Sequence, residues 1–593
     1  MGVYSTTPEA RQPRNCSPQC PWSADRHDSA FRCGASWRTG WSCSLLIMIV
    51  MVFATGCSKH LKDPANPGPF SVSSWEYKPD PNPNDPLWTD VSAYFNSPDF
   101  RVPYSMNHVP IHGIVRYPNG PGPFPLVLIV HGNHDPTVNS EQGYVYFLEL
   151  LASHGFIAVS VDENFLNGFV WGEMDARAII LLRHLQRWRT WDGSASYPFF
   201  NKVDLNRIGL AGHSRGGEAV TISWLFNTML HNPMDPDHTF GFNLTSLFAI
   251  APVDGQIVGD TNPHTGQPYD NVPAVLQNTD YFVMHGTHDG DVFDFEGYRA
   301  FDRAQPVNLS GTATKSLLWV YGGIHNQWNT TWGTADPCVV QPSGQIITAA
   351  DQQSIGKTFV SGFFQMSLQH KRRYAKLLQG KVRFPSMPAS ITLMNQYQSE
   401  DRIFLDDYEQ GNNLATGSFS GVTNTNHNNL LNPYQWYSFS DRGNPYWMWE
   451  ETHGLIAGWS SSGAEYVIDV PPGLAAQLKD YPVLSLRIGQ TFESTPSRNT
   501  PGASQDLGVV LELGNVTTNE LRVSDFAALP YPAKTTRCGW DDTKSVLQTV
   551  RIPLRKFVRH HPWWKLHHLT RIRLKFDQKP TGLLAIDDIQ VTK

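Results

Sequence analysis

Arg207-Ile208-Gly209-Leu210-Ala211-Gly212-His213-Ser214-Arg215-Gly216-Gly217-Glu218-Ala219-Val220-Thr221-Ile222-Ser223-Trp224-Leu225 reads as an apolar strand, a Gly-x-Ser-x-Gly turn and a helix. The glycines flanking the serine allow a turn so tight that larger side chains there would strike the strand or the helix. The hydroxyl of Ser214 is then held clear of the sheet. The N–H of Arg215, opening the helix, has no intrahelical carbonyl to bond and is free to meet a developing anion. Ser214 is the candidate nucleophile.

A nucleophilic serine needs a base, an acid that orients the base, and donors for the oxyanion. Behind the strand Tyr281-Phe282-Val283-Met284 comes His285-Gly286-Thr287-His288-Asp289-Gly290-Asp291, with Asp289 in the position of the acid. Behind the next strand, Leu317-Leu318-Trp319-Val320-Tyr321, comes Gly322-Gly323-Ile324-His325-Asn326, with His325 in the position of the base. Asp254 and Asp291 are rival acids, whereas His285 and His288 precede the final strand and read as local packing residues. The loop His131-Gly132-Asn133, after the strand Leu126–Val130, offers the backbone N–H of Asn133 as a second oxyanion donor beside that of Arg215. His131 reads as a loop organiser. Asp162–Trp171 reads as a pocket wall, and Trp328 joins it in an expected apolar rim.

These motifs lie in a region of strand–helix alternation from about 105 to 385. Strands are expected at Ile111–Tyr117, Leu126–Val130, Phe156–Val161, Ile208–Ala211, Leu247–Ala251, Tyr281–Met284 and Leu317–Tyr321, with helices at Glu173–Trp188, Glu218–Leu230 and Gln352 to about Leu378. Continuous apolar strands separated by helices predict an α/β domain, a mostly parallel sheet covered on both faces. Order and placement of Ser, Asp and His are those of α/β-hydrolases. Gly-His-Ser-Arg-Gly-Gly with the Gly-Gly-Ile-His loop resembles the branch holding chlorophyllases, dienelactone-hydrolase-like enzymes and cutinase-like polyester hydrolases. The resemblance implies carboxylic-ester hydrolysis through an acyl-enzyme, with no cofactor. It leaves the substrate open, small or polymeric.

Beyond about 395 the pattern becomes short alternating segments, among them Ala464–Val470, Leu484–Ile488, Gly508–Leu513, Thr549–Leu554 and Ile572–Phe576, which predict an all-β sandwich over 396–593. Asp406-Asp407-Tyr408-Glu409 and Leu584-Ala585-Ile586-Asp587-Asp588-Ile589 resemble the first and last strands of galactose-binding-like jelly rolls. That resemblance implies an accessory domain, with a glycan as its ligand and, in some relatives, a structural calcium near such acids. Between Arg551 and Lys575 stand eight Lys/Arg and no acid, a run that reads as outward-facing strand residues plus a loop, or as an anionic-ligand surface.

The N-terminal region 1–57 contains the apolar run Ser44–Phe53 and then Ala54-Thr55-Gly56-Cys57, which resembles a bacterial lipobox, so Cys57 is the expected lipidation site. Residues 58–104 are expected to form a Pro/Asn-rich tether and lead-in segment ahead of the 105–385 domain. Together these imply a lipid-anchored, periplasmic or secreted protein of a bacterial cell envelope, with the membrane as a partner. Of seven cysteines, Cys338 and Cys538 remain beyond Cys57, either paired in an oxidising compartment or separately buried. A net charge of −7 gives no reason to expect nucleic acid as a partner. No Walker loop, dinucleotide fingerprint or metal-spaced Cys/His set occurs, so the expected site has no metal. An amidase or peptidase with the same triad, or a glycan-binding lipoprotein with an inactive hydrolase domain, are the competing readings.

Overall fold

The computed structural model describes residues 61–593 apart from 96–101, 169, 230, 256–273, 307–312, 442–444, 447, 494–497 and 561–564. Cys57 and the apolar run before it lie outside the described residues. Nine strands form the principal sheet: β1 (Val72–Tyr77), β2 (Gly113–Pro118), β3 (Phe124–Val130), β4 (Ile157–Val161), β5 (Val203–His213), β6 (Leu244–Ile250), β7 (Asp280–Gly286), β8 (Thr314–Val320) and β9 (Leu393–Ser399). Their spatial order is β1-β2-β4-β3-β5-β6-β7-β8-β9. The five pairings from β4 through β8 are parallel, and the three at the edges are antiparallel. Every residue of β3, β4, β7 and β8 is buried, which explains the apolar runs Leu126–Val130, Tyr281–Met284 and Leu317–Val320 within them. The helices include α1 (Val145–Ser153), α2 (Met174–Asp192), α3 (Arg215–Thr228), α4 (Gly297–Arg303) and α5 (Ala349–Ser367).

Two differences from the sequence reading are informative. The segment expected to be a tether contributes β1, which pairs with β2 from Val72↔Pro118 to Tyr77↔Gly113. Trp75 packs edge-on against Trp188 and Trp191 of α2, and this apolar contact holds a proline-flanked segment on the body. The expected long closing helix is α5, capped at its start by the Thr348 side chain accepting from the N–H of Asp351. It stops at Ser367, His370 takes a φ of 55°, and a 3-10 turn at Arg372–Tyr374 and the short helix Ala375–Leu378 follow.

The C-terminal region is a sandwich of two antiparallel sheets. One contains β10 (Arg402–Asp406), β12 (Tyr434–Ser438), β13 (His453–Trp459), β15 (Val483–Gln490), β17 (Gln548–Pro553) and β19 (Gly582–Thr592). The other is built on β11 (Thr423–His427), β14 (Ala464–Asp469), β16 (Gly508–Leu513) and β18 (Leu569–Phe576), with short edge pieces on β16. The two sheets enclose a core of their own, which includes Trp459, Tyr466, Leu486, Leu511 and Ile586. First and last strands pair, Arg402↔Thr592 to Asp406↔Ile589. Asp587 and Asp588 both face Arg487 of β15, whose guanidinium supplies the positive charge beside these acids.

Much of the basic run is neutralised locally. Arg571 pairs with Asp469 and Glu512, Arg573 with Glu465 and Glu512, and Lys575 with Glu520 and Asp577, so these cations stitch neighbouring strands together.

The sandwich and the α/β body share a seam. Arg487 reaches Asp302 at 3.0 Å, with both side chains under 5 % exposed. Phe295 of the body packs on Trp449 at 5.0 Å between ring centroids. Tyr397 in β9 donates its N–H to Thr549 at 2.9 Å. Cys338 and Cys538 form a disulfide with Cα atoms 5.7 Å apart, and Val340–Gln341 pairs with Arg537 and Thr536 beside it. The boundary expected between 385 and 396 therefore falls inside the principal sheet, because β9 is its last strand.

Candidate active site

Ser214 sits between the end of β5 and the start of α3 with φ 58° and ψ −126°, a conformation that the turn imposes on a residue with a Cβ. The facing loop after β3 comes so close that a Cβ on Gly132 would lie 2.4 Å from Cβ of Ser214 and 3.0 Å from its Oγ. Only glycine allows this approach, and it brings the 131–133 loop over Ser214. Arg215 is the first residue of α3, so its N–H has no carbonyl of its own helix to bond.

The Arg215 side chain turns away from this point into a buried charge network. It donates to the carbonyl of Val170 at 2.8 Å and to Glu173 at 2.6 Å. Arg177 bridges Glu173 and Glu163, and the N–H of Glu163 donates to Nε2 of His131 at 2.9 Å. Burial and the nearby Arg177 lower His131 to about 4, so it is neutral and able to accept that bond. His131 is thus the organiser of its loop. Glu163, Glu173 and Arg177 carry no recognisable sequence motif, and only the packing of α2 against α3 brings them under the elbow.

Asp289 and His325 meet at the ends of adjacent parallel strands, β7 and β8. His325 Nδ1 lies 2.8 Å from Oδ2 of Asp289, and both side chains are at most 1 % exposed. The other carboxylate oxygen of Asp289 accepts the N–H groups of Asp291 and Val292 at 2.9 and 2.8 Å. Burial opposes its charge, but His325, by charge and hydrogen bond, outweighs burial and holds the carboxyl below its ordinary range. Burial likewise opposes a charged His325; Asp289, with help from Asp291 and Asp336, overcomes it and lifts the imidazole to about 9. Nε2 of His325 is buried and makes no hydrogen bond among the described residues. The His325 loop lies against the turn at Ser214: the rings of His213 and His325 are 4.6 Å apart between centroids.

Asp254 and Asp291 stand differently. Asp254 forms a two-pronged ion pair with Arg303, one contact being 2.9 Å. Asp291 is half exposed and stands 3.8 Å from Nε2 of His325, on the side opposite the Asp289 contact. His285 is packed against Trp319 and Phe295, and His288 lies beside the Thr287 hydroxyl at 3.0 Å. Asn133 follows Gly132 on the loop over Ser214.

The expected apolar rim needs a correction. Trp328 is fully buried and belongs to the core beneath Phe147 and Gly356, since the turn after His325 points it inward. Trp332 stands nearer the site, stacked on His134 and His213 at 5.0 and 4.8 Å. Trp171 is 53 % exposed, with Arg215 4.6 Å from its ring centroid.

A further carboxylate, Asp336, joins the site from a third loop. Asp336 accepts the main-chain N–H groups of Gly290, His325 and Asn326, each at 2.8 Å. Nothing around Asp336 in the sequence signals this, because its partners come from two other loops.

No curated protein matches the chain. Residues 95–268 match the family model described as Chlorophyllase, a span that holds Ser214 and the 131–133 loop and stops short of Asp289 and His325. Asp289 and His325, 2.8 Å apart, lie outside the matched span. The chain carries an α/β-hydrolase fold, followed by an all-β sandwich, and over residues 95–268 it is similar to the chlorophyllases, an α/β-hydrolase family of ester-cleaving enzymes.

Proposed function

We propose that this protein is a serine hydrolase that cleaves carboxylic esters through an acyl-enzyme. The observation that carries the reading is the buried His325–Asp289 pair, which lies against the elbow that holds Ser214. In the first half-reaction His325 Nε2 takes the Ser214 proton as Oγ attacks the ester carbonyl. Asp289 holds the ring in the tautomer that leaves Nε2 open and stabilises the imidazolium that forms. The N–H groups of Arg215 and Asn133 receive the oxyanion. Collapse expels the alcohol, which takes its proton from His325, and water attacks the acyl-serine with His325 again as base. The residues invoked supply nucleophile, base and oxyanion donors, and the steps need no cofactor.

A disulfide between Cys338 and Cys538 supports an oxidising compartment, and with the lipobox-like Ala54–Cys57 it favours a lipid-anchored protein of the bacterial cell envelope. The sandwich is a candidate glycan-binding region on its resemblance alone. The functional test is a panel of p-nitrophenyl esters, acetylated glycans, polyesters and anilides, run beside Ser214→Ala. Ester turnover that vanishes in the variant supports the reading. Turnover of anilides in preference to esters replaces it with an amidase.

The pH dependence follows from His325. A base works only when neutral, and neighbouring carboxylates lift this one to about 9. kcat/KM therefore rises with pH through an alkaline limb, above the ordinary histidine value near 6.5. Asp291→Asn removes one of the raising charges and moves that limb to lower pH. A limb unchanged in Asp291→Asn, measured on p-nitrophenyl acetate, contradicts this electrostatic account.

A further inference from the structure

The acid and the base ride on two separate loops, 287–292 behind β7 and 322–328 behind β8. Asp289 connects them through the ring of His325. A second connection, through the main chain, comes from a third loop. One oxygen of Asp336 accepts the N–H groups of both Gly290 and His325, and the other accepts that of Asn326, all at 2.8 Å. Asn326 answers by donating its side-chain amide to the carbonyl of Ala335 at 2.7 Å. The third loop is packed tightly on the first: a Cβ on Gly290 would lie 2.1 Å from the carbonyl oxygen of Cys338 and 2.9 Å from Cβ of Asp336. Burial and the charge of nearby Asp289 push Asp336 up to about 6, while His325 and the surrounding N–H groups pull the other way. Two carboxylates are brought this close only because a ring of donors holds each of them.

The Asp336 loop is itself anchored outside the α/β body. Two residues on, Cys338 is bonded to Cys538, and the N–H of Cys538 donates to the carbonyl of Val339 at 3.1 Å. Resting on the triad reading above, we propose that Asp336 is a positioning residue, a carboxylate clamp that sets the acid and base loops relative to each other and is held in register by the Cys338–Cys538 link to the C-terminal sandwich. The sandwich then takes part in catalysis on any substrate, including a small soluble ester that it never binds.

The test uses the full chain and p-nitrophenyl acetate, with kcat expressed per site titrated by a fluorophosphonate, so that misfolded molecules are not counted. Asp336→Ala removes both acceptor oxygens and with them all three hydrogen bonds, and is expected to lower kcat about 100-fold with KM within about threefold, the pattern of a misplaced catalytic group. Asp336→Asn keeps one acceptor oxygen and is expected to recover about tenfold of that loss. The pair Cys338→Ser/Cys538→Ser is expected to lower kcat about tenfold, and the triple variant that adds Asp336→Ala should be no slower than Asp336→Ala alone. Losses that multiply independently overturn the link between staple and clamp, and wild-type kcat per titrated site in Asp336→Ala overturns the clamp. If Asp336→Ala fails to fold, Asp336→Asn decides: kcat equal to wild type overturns the proposal, and a drop at constant KM supports it. Fluorophosphonate found elsewhere than on Ser214 in the wild type removes the triad reading, and the clamp with it; label on Ser214 with undiminished kcat in the Asp336 variants removes the clamp alone.

Discussion

Ser214→Ala and His325→Ala are each expected to lower kcat on a p-nitrophenyl ester by about 10⁴-fold while the fold survives. Alanine retains the Cβ and backbone of Ser214 at its φ of 58°, so the strained turn is unchanged and only the nucleophile is lost. In His325→Ala the buried Asp289 loses one partner but keeps the N–H groups of Asp291 and Val292. Combining the two substitutions should cost little more than either, because they act as one unit. Asp289→Asn should also be severely impaired, since an amide in place of the carboxylate offers Nδ1 no charged acceptor. Asp254→Asn loosens an ion pair with Arg303 and should leave kcat near wild type. Circular dichroism beside the kinetics separates the outcomes: a folded Ser214→Ala protein with near-wild-type turnover ends the triad assignment, and a crippled Asp254→Asn enzyme moves the acid.

A chain ending near residue 390 is expected to aggregate, or to melt more than ~10 °C below the full chain and to lose more than ~90 % of its activity on a soluble ester. Composition suggests an accessory domain that could be removed, but three features of the fold oppose that. The cut deletes β9, which pairs with β8 from Thr314↔Ser399 to Val320↔Leu393, and so opens the ladder of a fully buried strand to solvent. It removes Trp449 and Val546, which belong to the same apolar core as Phe295, Tyr298 and Trp319 of the body. Exposing even two or three such large side chains costs several kcal/mol, against a total stability of only ~5–15 kcal/mol. It also breaks the Cys338–Cys538 bond, which spans 200 residues and, on the chain-entropy estimate, contributes about 5 kcal/mol. A soluble, monomeric truncated chain with wild-type kcat/KM would show that the sandwich is a separable module and that its seam with the body is dispensable.

The parts that could be read along the chain are those with local causes. Apolar runs such as Leu126–Val130 and Leu317–Tyr321 read as doubly covered strands, and the strands they fall in, Phe124–Val130 and Thr314–Val320, are buried throughout. The Gly-x-Ser-x-Gly turn announces its own geometry, and strand order then places Asp289 and His325 at neighbouring strand ends. Alternation marks the sandwich, and the motifs at its two termini fall on its first and last strands, which the fold then pairs.

What needed folding was everything set by distance across the fold. A proline-rich stretch gives no local sign that Trp75 will find Trp188 and Trp191 and pull β1 onto the sheet. Trp328 and Trp332 are four residues apart with equal claim to an apolar rim, and the turn after His325 alone buries the first in the core and stacks the second on His213. Cys338 and Cys538 read along the chain as a pair or as two separate thiols, and pairing of Val340–Gln341 with Thr536–Arg537 brings their Cα atoms to 5.7 Å. Asp336 is an unremarked aspartate in a Gly/Thr/Pro loop whose three donors come from segments 10, 11 and 46 residues away. Hydrogen bonds of that kind leave no periodic trace, since a single carboxylate suits many loops and only tertiary contact selects which N–H groups it will hold.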